Sequence, residues 1–235
     1  MRTALVVWCA LAACSSADPP RATPLQPEQS SKKQASPAMT PPLPSILEVE
    51  LDTIRKDPGE SVGFGEKAYI PYEPNSAPSL IGSDNPAVTQ RLVTEARGSG
   101  DRVYRLAVLH VLGKRTDPTV DAALITLLDD PKLRSTAAYL LGRVGFKGYP
   151  PRQRDVEAVR TALRRYLDDA TTFEDPFYRR TFRTQDFVLA AYVRVTGPEK
   201  FRIGSPDIVD LVGLSLPEFT DVVRADLLAQ AKQIY

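Results

Sequence analysis

The chain has 235 residues, of which 43% are hydrophobic, and its 30 Lys and Arg residues nearly balance its 29 Asp and Glu residues. This length allows one domain of ordinary size together with a tail. The formal charge of +1 argues against a dedicated nucleic-acid-binding protein, because such proteins usually show a clear basic excess. The single histidine excludes zinc sites and catalytic dyads built on several imidazoles, and neither a dinucleotide-binding nor a Walker-type glycine motif occurs.

The amino terminus has the pattern of a secretory signal. Arg2 precedes an uncharged, mostly apolar run from Thr3 to Ala13, which is too short for a membrane span because a spanning helix needs about 20 apolar residues. The residues Leu11-Ala12-Ala13-Cys14 resemble the lipobox of bacterial lipoproteins. The resemblance implies that residues 1–13 are a signal peptide, that cleavage precedes Cys14, and that Cys14 carries the lipid.

The lipobox resemblance also predicts the location of the protein. Two or more acyl chains on Cys14 would anchor it stably, so we expect a lipid-anchored protein of the cell envelope. Ser15 rather than aspartate follows the cysteine, which in this family implies the outer membrane if the host has two membranes. Cys9 lies in the removed segment, so the mature chain keeps one cysteine and no internal disulfide. The alternative is an ordinary signal peptide with a chance cysteine.

Residues 14–45 have the composition of a tether. Eight prolines fall between Pro19 and Pro44, with few bulky apolar residues between them. Such a segment cannot bury enough surface to offset its ordering entropy, so we predict disorder with extended polyproline character, at about 3.1 Å per residue. A binding motif for a proline-reading partner is the alternative.

Residues 46–83 are predicted to be one helix followed by an irregular segment that packs on the domain. Ser45 and Glu48 have capping-box spacing, and Ile46, Leu47, Leu51 and Ile54 could share one helical face up to Lys56. The alternation of Leu47, Val49 and Leu51 also fits a short strand. Residues 57–79 contain four prolines and three glycines, which indicate irregular chain with aromatic anchors.

From residue 84 onward the sequence repeats a helix pair. Asn85-Pro86, Asp117-Pro118 and Asp130-Pro131 each place a capping side chain before a proline, a start signal for a helix. Apolar residues of the first helix recur 32 residues later, and those of the second helix, residues 105–113, recur 29 residues later. The matched first-helix positions are Val88, Leu92, Val93 and Ala96 with Val120, Leu124, Ile125 and Leu128.

A third pair is looser. Its first helix covers residues 156–167, and after an insertion at 170–181 the run Leu189-Ala190-Ala191-Tyr192 repeats the Ala-Ala-Tyr of residues 137–139. We predict that the paired alanines give the second helices clearance to approach one another. A last helix over residues 216–233, starting at Ser215 and Pro217 with Phe219 and Val222 on its apolar side, would cover the open end.

The repeat resembles the HEAT-like repeats of bacterial proteins, including the short variety of phycobilisome lyases. The residues that carry the resemblance are Asp117-Pro118, Leu124, Leu127-Leu128, Asp130-Pro131, Arg134, Ala137-Ala138 and Leu141-Gly142. The resemblance implies an all-α domain over residues 84–235, in which stacked helix pairs form a short superhelix. The motif specifies the fold far better than the function.

Bases are concentrated after the second repeat. Residues 143–165 contain seven Lys and Arg residues and two acids, a pattern that could bind an anionic group or form a solvated face paired with nearby acids. The loop 145–155 and the insertion 173–182 interrupt the repeat, and such interruptions often form a recognition surface. We predict partner contacts at Tyr149, Arg152, Arg154, Tyr178, Arg179 and Arg180.

Purely structural explanations, which require no partner, exist for some of these residues. Phe173, Phe177 and Tyr178 could fill the gap left by an imperfect third repeat, and His110, between apolar neighbours, fits a buried structural histidine. Weak calcium binding at Asp168, Asp169, Glu174 and Asp175 is conceivable, although the fixed spacing of a calcium loop is absent.

The function predicted from the sequence is a protein-protein interaction or scaffold module, anchored to the membrane of the cell envelope. An immunity or inhibitor lipoprotein that neutralises a toxin or hydrolase is the alternative. An enzyme with lyase-like activity is a third hypothesis, and only the name of the repeat family favours it. We predict no catalytic residues, no metal, no cofactor and no nucleic-acid partner, and we expect a monomer that binds an envelope protein.

Overall fold

The structure is a computed structural model that describes residues 45–57, 77–98, 101–146, 148–175, 180–202 and 218–234. The predicted signal peptide, Cys14 and the tether up to residue 44 lie outside the described residues, as do Tyr178 and Arg179. All described residues belong to one unit, Met39–Tyr235. None of the described helices is long and apolar enough to cross a membrane.

The described chain is predominantly helical, which confirms the all-α prediction apart from one hairpin. The helices are α1 Ser45–Lys56, α2 Pro78–Gly82, α3 Pro86–Arg97, α4 Arg102–Lys114, α5 Val120–Leu127, α6 Arg134–Gly142, α7 Val156–Arg164, α8 Thr184–Thr196, a 3-10 turn Pro198–Lys200, and α9 Asp221–Gln233. The strands β1 Thr172–Asp175 and β2 Arg180–Arg183 pair antiparallel, with Phe173 opposite Phe182.

The repeated helix pairs pack in two rows. Helices α3, α5 and α7 contact one another in order and form the first-helix row, while α4, α6 and α8 form the second-helix row. Each first helix also packs on its own second helix. The segments at 86–97 and 120–127 therefore occupy equivalent places, and each pair buries its apolar face against the next.

Equivalent arginines make equivalent bonds in the first two pairs. The Nε of Arg105 donates a hydrogen bond of 2.6 Å to the carbonyl of Ala96, at the end of the first helix of its own pair. The Nε of Arg134 makes the same bond, also 2.6 Å, to the carbonyl of Leu128. These residues are related by the offsets of 32 and 29 that the sequence predicts, so the repeat extends to the polar contacts.

The same arginines connect each pair to the following pair. Arg105 lies 3.7 Å from Asp130, which follows the first helix of the second pair, and Arg134 forms an ion pair with Asp169, which follows the first helix of the third. Both aspartates stand two residues after a buried leucine. Each arginine therefore bonds to the end of the first helix of its own pair and also forms an ion pair with an aspartate of the next pair.

Close approach of the second helices depends on equivalent glycines. A Cβ added to Gly142 would lie 2.9 Å from the Cα of Ala191 on α8, a distance that real Cβ atoms do not tolerate. A Cβ at Gly113 would lie 2.7 Å from a Cδ atom of Leu140, a side-chain end that can move. Ala137 and Ala138 are fully buried in the same helix, as their predicted packing role requires.

The capping prediction is confirmed for Asn85, whereas the helices after Asp117 and Asp130 begin a few residues later than predicted. Asn85 caps α3 directly, and its Oδ1 accepts from the backbone in the first turn. Asp117 instead accepts at 2.8 Å from both the N–H and the hydroxyl of Thr119, and α5 begins only after that turn. Asp130 forms a similar turn before α6. An Asp-Pro pair supports a tight turn as readily as a helix start, so the helices are shorter than predicted.

The amino-terminal helix α1 forms as predicted, and Leu47, Leu51 and Ile54 are buried along it. Ile46 is 58% exposed, so its predicted place on this face is wrong. The strand alternative for these residues is wrong. The short helix α2 lies in a segment predicted to be irregular, and the sequence signals missed it. Tertiary contacts explain the difference, because both carboxylate oxygens of Glu50 on α1 accept from the N–H groups of Ser79 and Leu80, at 3.0 and 2.8 Å.

The carboxy-terminal helix is shorter than predicted. Thr220 caps α9, accepting from the N–H of Val223 at 3.3 Å, and residues 203–217 lie outside the described part of the chain. Phe219 is buried as predicted, but Val222 is 80% exposed, so its predicted place on the apolar side is wrong. A buried ion pair between Arg224 and Asp186 of α8 holds the helix, and this pair had no signal in the sequence.

Candidate functional site

The three side chains of the loop 145–155 that were predicted to contact a partner are largely buried. Tyr149, expected to be exposed, is only 4% exposed, and its hydroxyl lies 2.9 Å from Nδ1 of His110. The ring of Tyr149 also packs edge-on against Tyr139 at 6.4 Å between centroids. Its predicted exposure is wrong because two aromatic side chains of the second-helix row supply a buried place for it.

His110 is a structural histidine, as predicted. It is fully buried in α4, and burial together with the charges of Lys114 and Arg143 lowers the pKa of its imidazole to about 3. The ring is therefore neutral in the physiological range. A neutral imidazole bonded to a buried tyrosine contributes to packing rather than to acid-base chemistry.

Arg152 and Arg154 converge on one buried carboxylate. The Nε of Arg152 donates to Oδ1 of Asp121 at 2.9 Å, and the Nε of Arg154 lies 2.8 Å from Oδ2 of the same residue. The side chain of Arg152 is 0% exposed and that of Asp121 is 6% exposed. A partner at the surface cannot reach the Arg152 guanidinium in this arrangement, which argues against the contact role predicted for it.

The same two arginines satisfy helix ends. Arg152 donates to the carbonyl of Gly113 in the last turn of α4, and Arg154 donates to the carbonyl of Leu141 in the last turn of α6, both at 3.0 Å. Carbonyls in a last helical turn have no partner within the helix. The basic loop thus joins the ends of α4 and α6 to the first-helix row, and Arg152 and Arg154 belong to the fold.

The three bases of the run that lie on α7 or directly after it have partners. Arg165 donates to Asp129 at 2.8 Å, Arg160 pairs with Glu157, and Arg164 donates to the carbonyl of Lys232 at 3.0 Å. This pattern supports the solvated-face alternative over an anion site in the first-helix row. Arg180 is exposed and pairs with Glu218 at 2.8 Å, and its partner-contact role stays a prediction.

The calcium hypothesis gains no support from the described residues. Asp168 pairs with Lys232 at 2.7 Å, and Asp169 pairs with Arg134. No group of three or more His, Cys, Asp or Glu side chains among the described residues could hold a metal ion. The acids after α7 serve as partners for cations of neighbouring helices.

A groove of about 590 Å³ opens where the starts of α4, α6 and α8 meet strand β1, and we call it the second-helix groove. Its described lining is Arg102, Arg105, Leu106, Pro131, Lys132, Leu133, Ser135, Thr171, Thr172, Phe173 and Thr184. One wall of the groove comes from the insertion between the two helices of the third pair. The prediction that this insertion departs from the repeat to form a distinct surface therefore agrees with its position.

The floor of the second-helix groove is apolar. Leu106 and Leu133 are buried in the core, and Phe173 is half-buried beside them. The ring of Phe173 packs against Phe187 of α8 at 5.4 Å and against Phe182 of β2 at 5.9 Å. Phe173 thus fills the space beside the third pair, as the purely structural explanation proposed, and also forms part of the groove.

The rim of the groove is cationic. Arg102 and Lys132 are exposed, and neither has a carboxylate partner within the part of the chain that the structure describes. Arg105 is committed to Asp130 at 3.7 Å. None of the described residues that line the groove is acidic, so its positive charge is not neutralised from within.

Helix ends add to the positive potential. Three helices of the second-helix row begin at the groove, and the amino end of a helix carries a partial positive charge with free N–H groups. Asp101 caps α4, accepting from Val103 at 3.2 Å, whereas α6 and α8 have no side-chain cap. The groove lining also includes three residues with hydroxyls, Ser135, Thr171 and Thr184.

The sequence contained little signal for this site. Arg102 and Lys132 stand 30 residues apart, and only the packing of one helix pair on the next places them together. Comparisons of the chain with known protein families, with curated proteins and with solved structures find no match.

Proposed function

We propose that this chain is a protein-interaction module of the cell envelope that binds an acidic segment of a partner protein in the second-helix groove. The observation that carries the proposal is the cationic rim of Arg102 and Lys132 above an apolar floor. Acidic side chains of the segment would pair with the rim, while an apolar side chain would bury against Phe173. Opposite charge guides the encounter and selects the partner, and apolar burial supplies affinity.

The two-row packing supports a HEAT-like stack, an arrangement that presents an extended surface built from several repeats. An extended surface is better suited to binding a protein segment than to catalysis in an enclosed site. A general acid or base placed in a pocket would favour an enzyme. The described lining of the groove has neither a histidine nor a carboxylate, so an interaction function fits it better.

A photo-cross-linking experiment in the producing cell tests this function. A photoreactive phenylalanine analogue replaces Thr172, which lines the groove, or Thr161, which is exposed on the first-helix row. We expect a cross-linked partner peptide rich in Asp and Glu from position 172 and none from position 161. The synthetic peptide should then bind the purified full chain, with affinity that falls as salt rises.

Charge reversal provides the second arm. The double variant R102E/K132E should weaken binding of that peptide about tenfold or more, because like charges then face each other. The matched control is K200E/R202E, which reverses one lysine and one arginine that are exposed and lie outside the groove lining. Equal binding by wild type and R102E/K132E would show that the groove is not the recognition surface.

We also propose, from the lipobox alone, that Cys14 anchors the module to the membrane. Replacement of Cys14 by serine should abolish incorporation of a labelled fatty acid and release the protein from the membrane fraction, because a signal peptide without the lipid leaves no anchor. Unchanged fractionation of the variant would contradict the anchor. An immunity or inhibitor role becomes the better description if the cross-linked partner is a secreted toxin or hydrolase.

A further inference from the structure

Arg194 on α8 has two buried guanidinium nitrogens with unused donors. Its Nε and Nη2 are buried and make no hydrogen bond among the described residues. Its Cζ lies 5.5 Å from the ring centroid of Phe146, and its Cδ lies 3.5 Å from the position of a Cβ on Gly142. The side chain therefore crosses the close contact between α6 and α8 and ends beneath Phe146.

A second cation lies at the same ring. The Cζ of Arg143 is 5.7 Å from the Phe146 centroid and 4.9 Å from the Tyr139 centroid, and Arg143 is only 6% exposed. Burial, and then the charge of Arg143, lowers the pKa of Arg194 to about 10. The two positive charges therefore destabilise each other in a place from which water is largely excluded.

Arg194 differs in its surroundings from three buried arginines of the described chain. Those have carboxylate partners, namely Arg115 with Asp117, Arg152 with Asp121, and Arg224 with Asp186. A buried charge without a partner costs several kcal/mol unless something compensates for it. The carboxy ends of α6 and α8 contribute partial negative charge nearby, but they provide no acceptor for these two donors.

We propose that Arg194 and Arg143 form a binding site for an oxyanion, a phosphate or carboxylate group of a bound molecule. Nε and Nη2 form one edge of the guanidinium and offer two parallel N–H groups, the geometry that binds such a group in a bidentate manner. Arg143 adds charge to the same place. Phe146 belongs to an exposed turn, so a modest movement of one ring admits the anion.

This oxyanion site is separate from the second-helix groove. The groove lies at the starts of α4, α6 and α8, whereas Arg143 directly follows α6 and Arg194 stands in the last turn of α8. The inference therefore does not depend on the proposed function. A molecule with one acidic group could occupy this site while a protein segment occupies the groove.

Thermal unfolding of the full chain at constant ionic strength tests the site. Inorganic phosphate, acetate and chloride are compared, and the unfolding temperature of the wild type should rise by about 2–4 °C in millimolar phosphate or acetate relative to chloride. The larger of the two responses identifies the preferred group. Equal temperatures in all three salts would overturn the proposal.

Variants distinguish a binding site from a packing role. R194M keeps the length of the side chain and removes the charge, so it should unfold at a higher temperature than wild type in chloride and lose the response to oxyanions. R194K keeps the charge without the two-donor edge and should lose most of the response. The control R165M, at an exposed cation directly after α7, should keep the full response. An unchanged response in R194K and R194M would contradict the assignment.

Discussion

Two cationic regions of this protein have opposite roles. Arg152 and Arg154 belong to the most basic stretch of the sequence, yet they are committed to Asp121 and to carbonyls at helix ends. Arg102 and Lys132 lie outside that stretch, yet they face an open groove without carboxylate partners among the described residues. Density of charge along the chain therefore does not identify a binding surface.

The difference follows from what lies within reach of each cation. A guanidinium that pairs with a buried carboxylate and donates to a carbonyl is buried in the core, and its charge is neutralised. A cation at the rim of a groove stays hydrated and keeps its long-range field, which is available to a partner. The two regions can be compared by how much the free energy of unfolding falls when their charges are removed.

The largest effect is expected at Asp121. Replacement by alanine leaves Arg152 buried without a counter-charge, and we expect the free energy of unfolding to fall by about 3–5 kcal/mol, measured by urea denaturation. The control is Asp168→Ala, whose side chain is 72% exposed in a pair with Lys232 and whose loss should cost about 0–1 kcal/mol. Equal costs for the two variants would mean that Arg152 is not buried as described.

A smaller effect is expected from pH at a second buried pair, Asp117 and Arg115. Burial raises the pKa of Asp117, but hydrogen bonds from Thr119, Thr89 and Arg115 outweigh it and lower the pKa below its usual 3.8. A carboxylate whose pKa is lower in the folded than in the unfolded state stabilises the fold at any pH above its unfolded-state pKa. This contribution is lost as the pH falls through the folded-state pKa.

The measurement for Asp117 is the urea midpoint of wild type and of D117N at several pH values. The wild type should be more stable at about pH 6, and the difference should shrink steadily below about pH 4 as the carboxylate takes up its proton. Comparison with D117N cancels the titration of other carboxylates. A difference that is independent of pH would show that the Asp117 carboxylate is not stabilised in its charged form.

The smallest effect on stability is expected at the groove rim. R102E/K132E should change the free energy of unfolding by no more than about 1 kcal/mol, because both side chains are exposed and the contact of Arg102 with the Phe173 ring, 5.8 Å from its centroid, is weak. Urea denaturation of the purified variant measures this. A large loss of stability would place these cations with Arg152 and Arg154 as parts of the fold, and would end the contrast between the two regions.

The helical pairs were predictable from the sequence because their signals are local. Apolar spacing along Val88 to Ala96 and Val120 to Leu128 records which side of each helix is buried, and both sets form equivalent parts of the core. The arginines at 105 and 134 repeat with the same offset and make the same bond. Helix starts were less predictable, because an Asp-Pro pair is compatible with a turn.

The candidate site was predictable only in part. The insertion at 173–182 was recognised as a departure from the repeat, and Phe173 does line the groove. Tyr149, Arg152 and Arg154 were misplaced because Asp121 and His110, which hold them inside, are 31 to 39 residues away in the chain. No local pattern records such a partner.

The sequence by itself determined the succession of amphipathic helices and the two offsets of their repeat, since backbone hydrogen bonding and apolar periodicity act over a few residues. Only the tertiary structure decided which cations are neutralised and which remain exposed. That outcome depends on whether packing brings a carboxylate or a carbonyl to each guanidinium, and packing joins residues that are far apart along the chain.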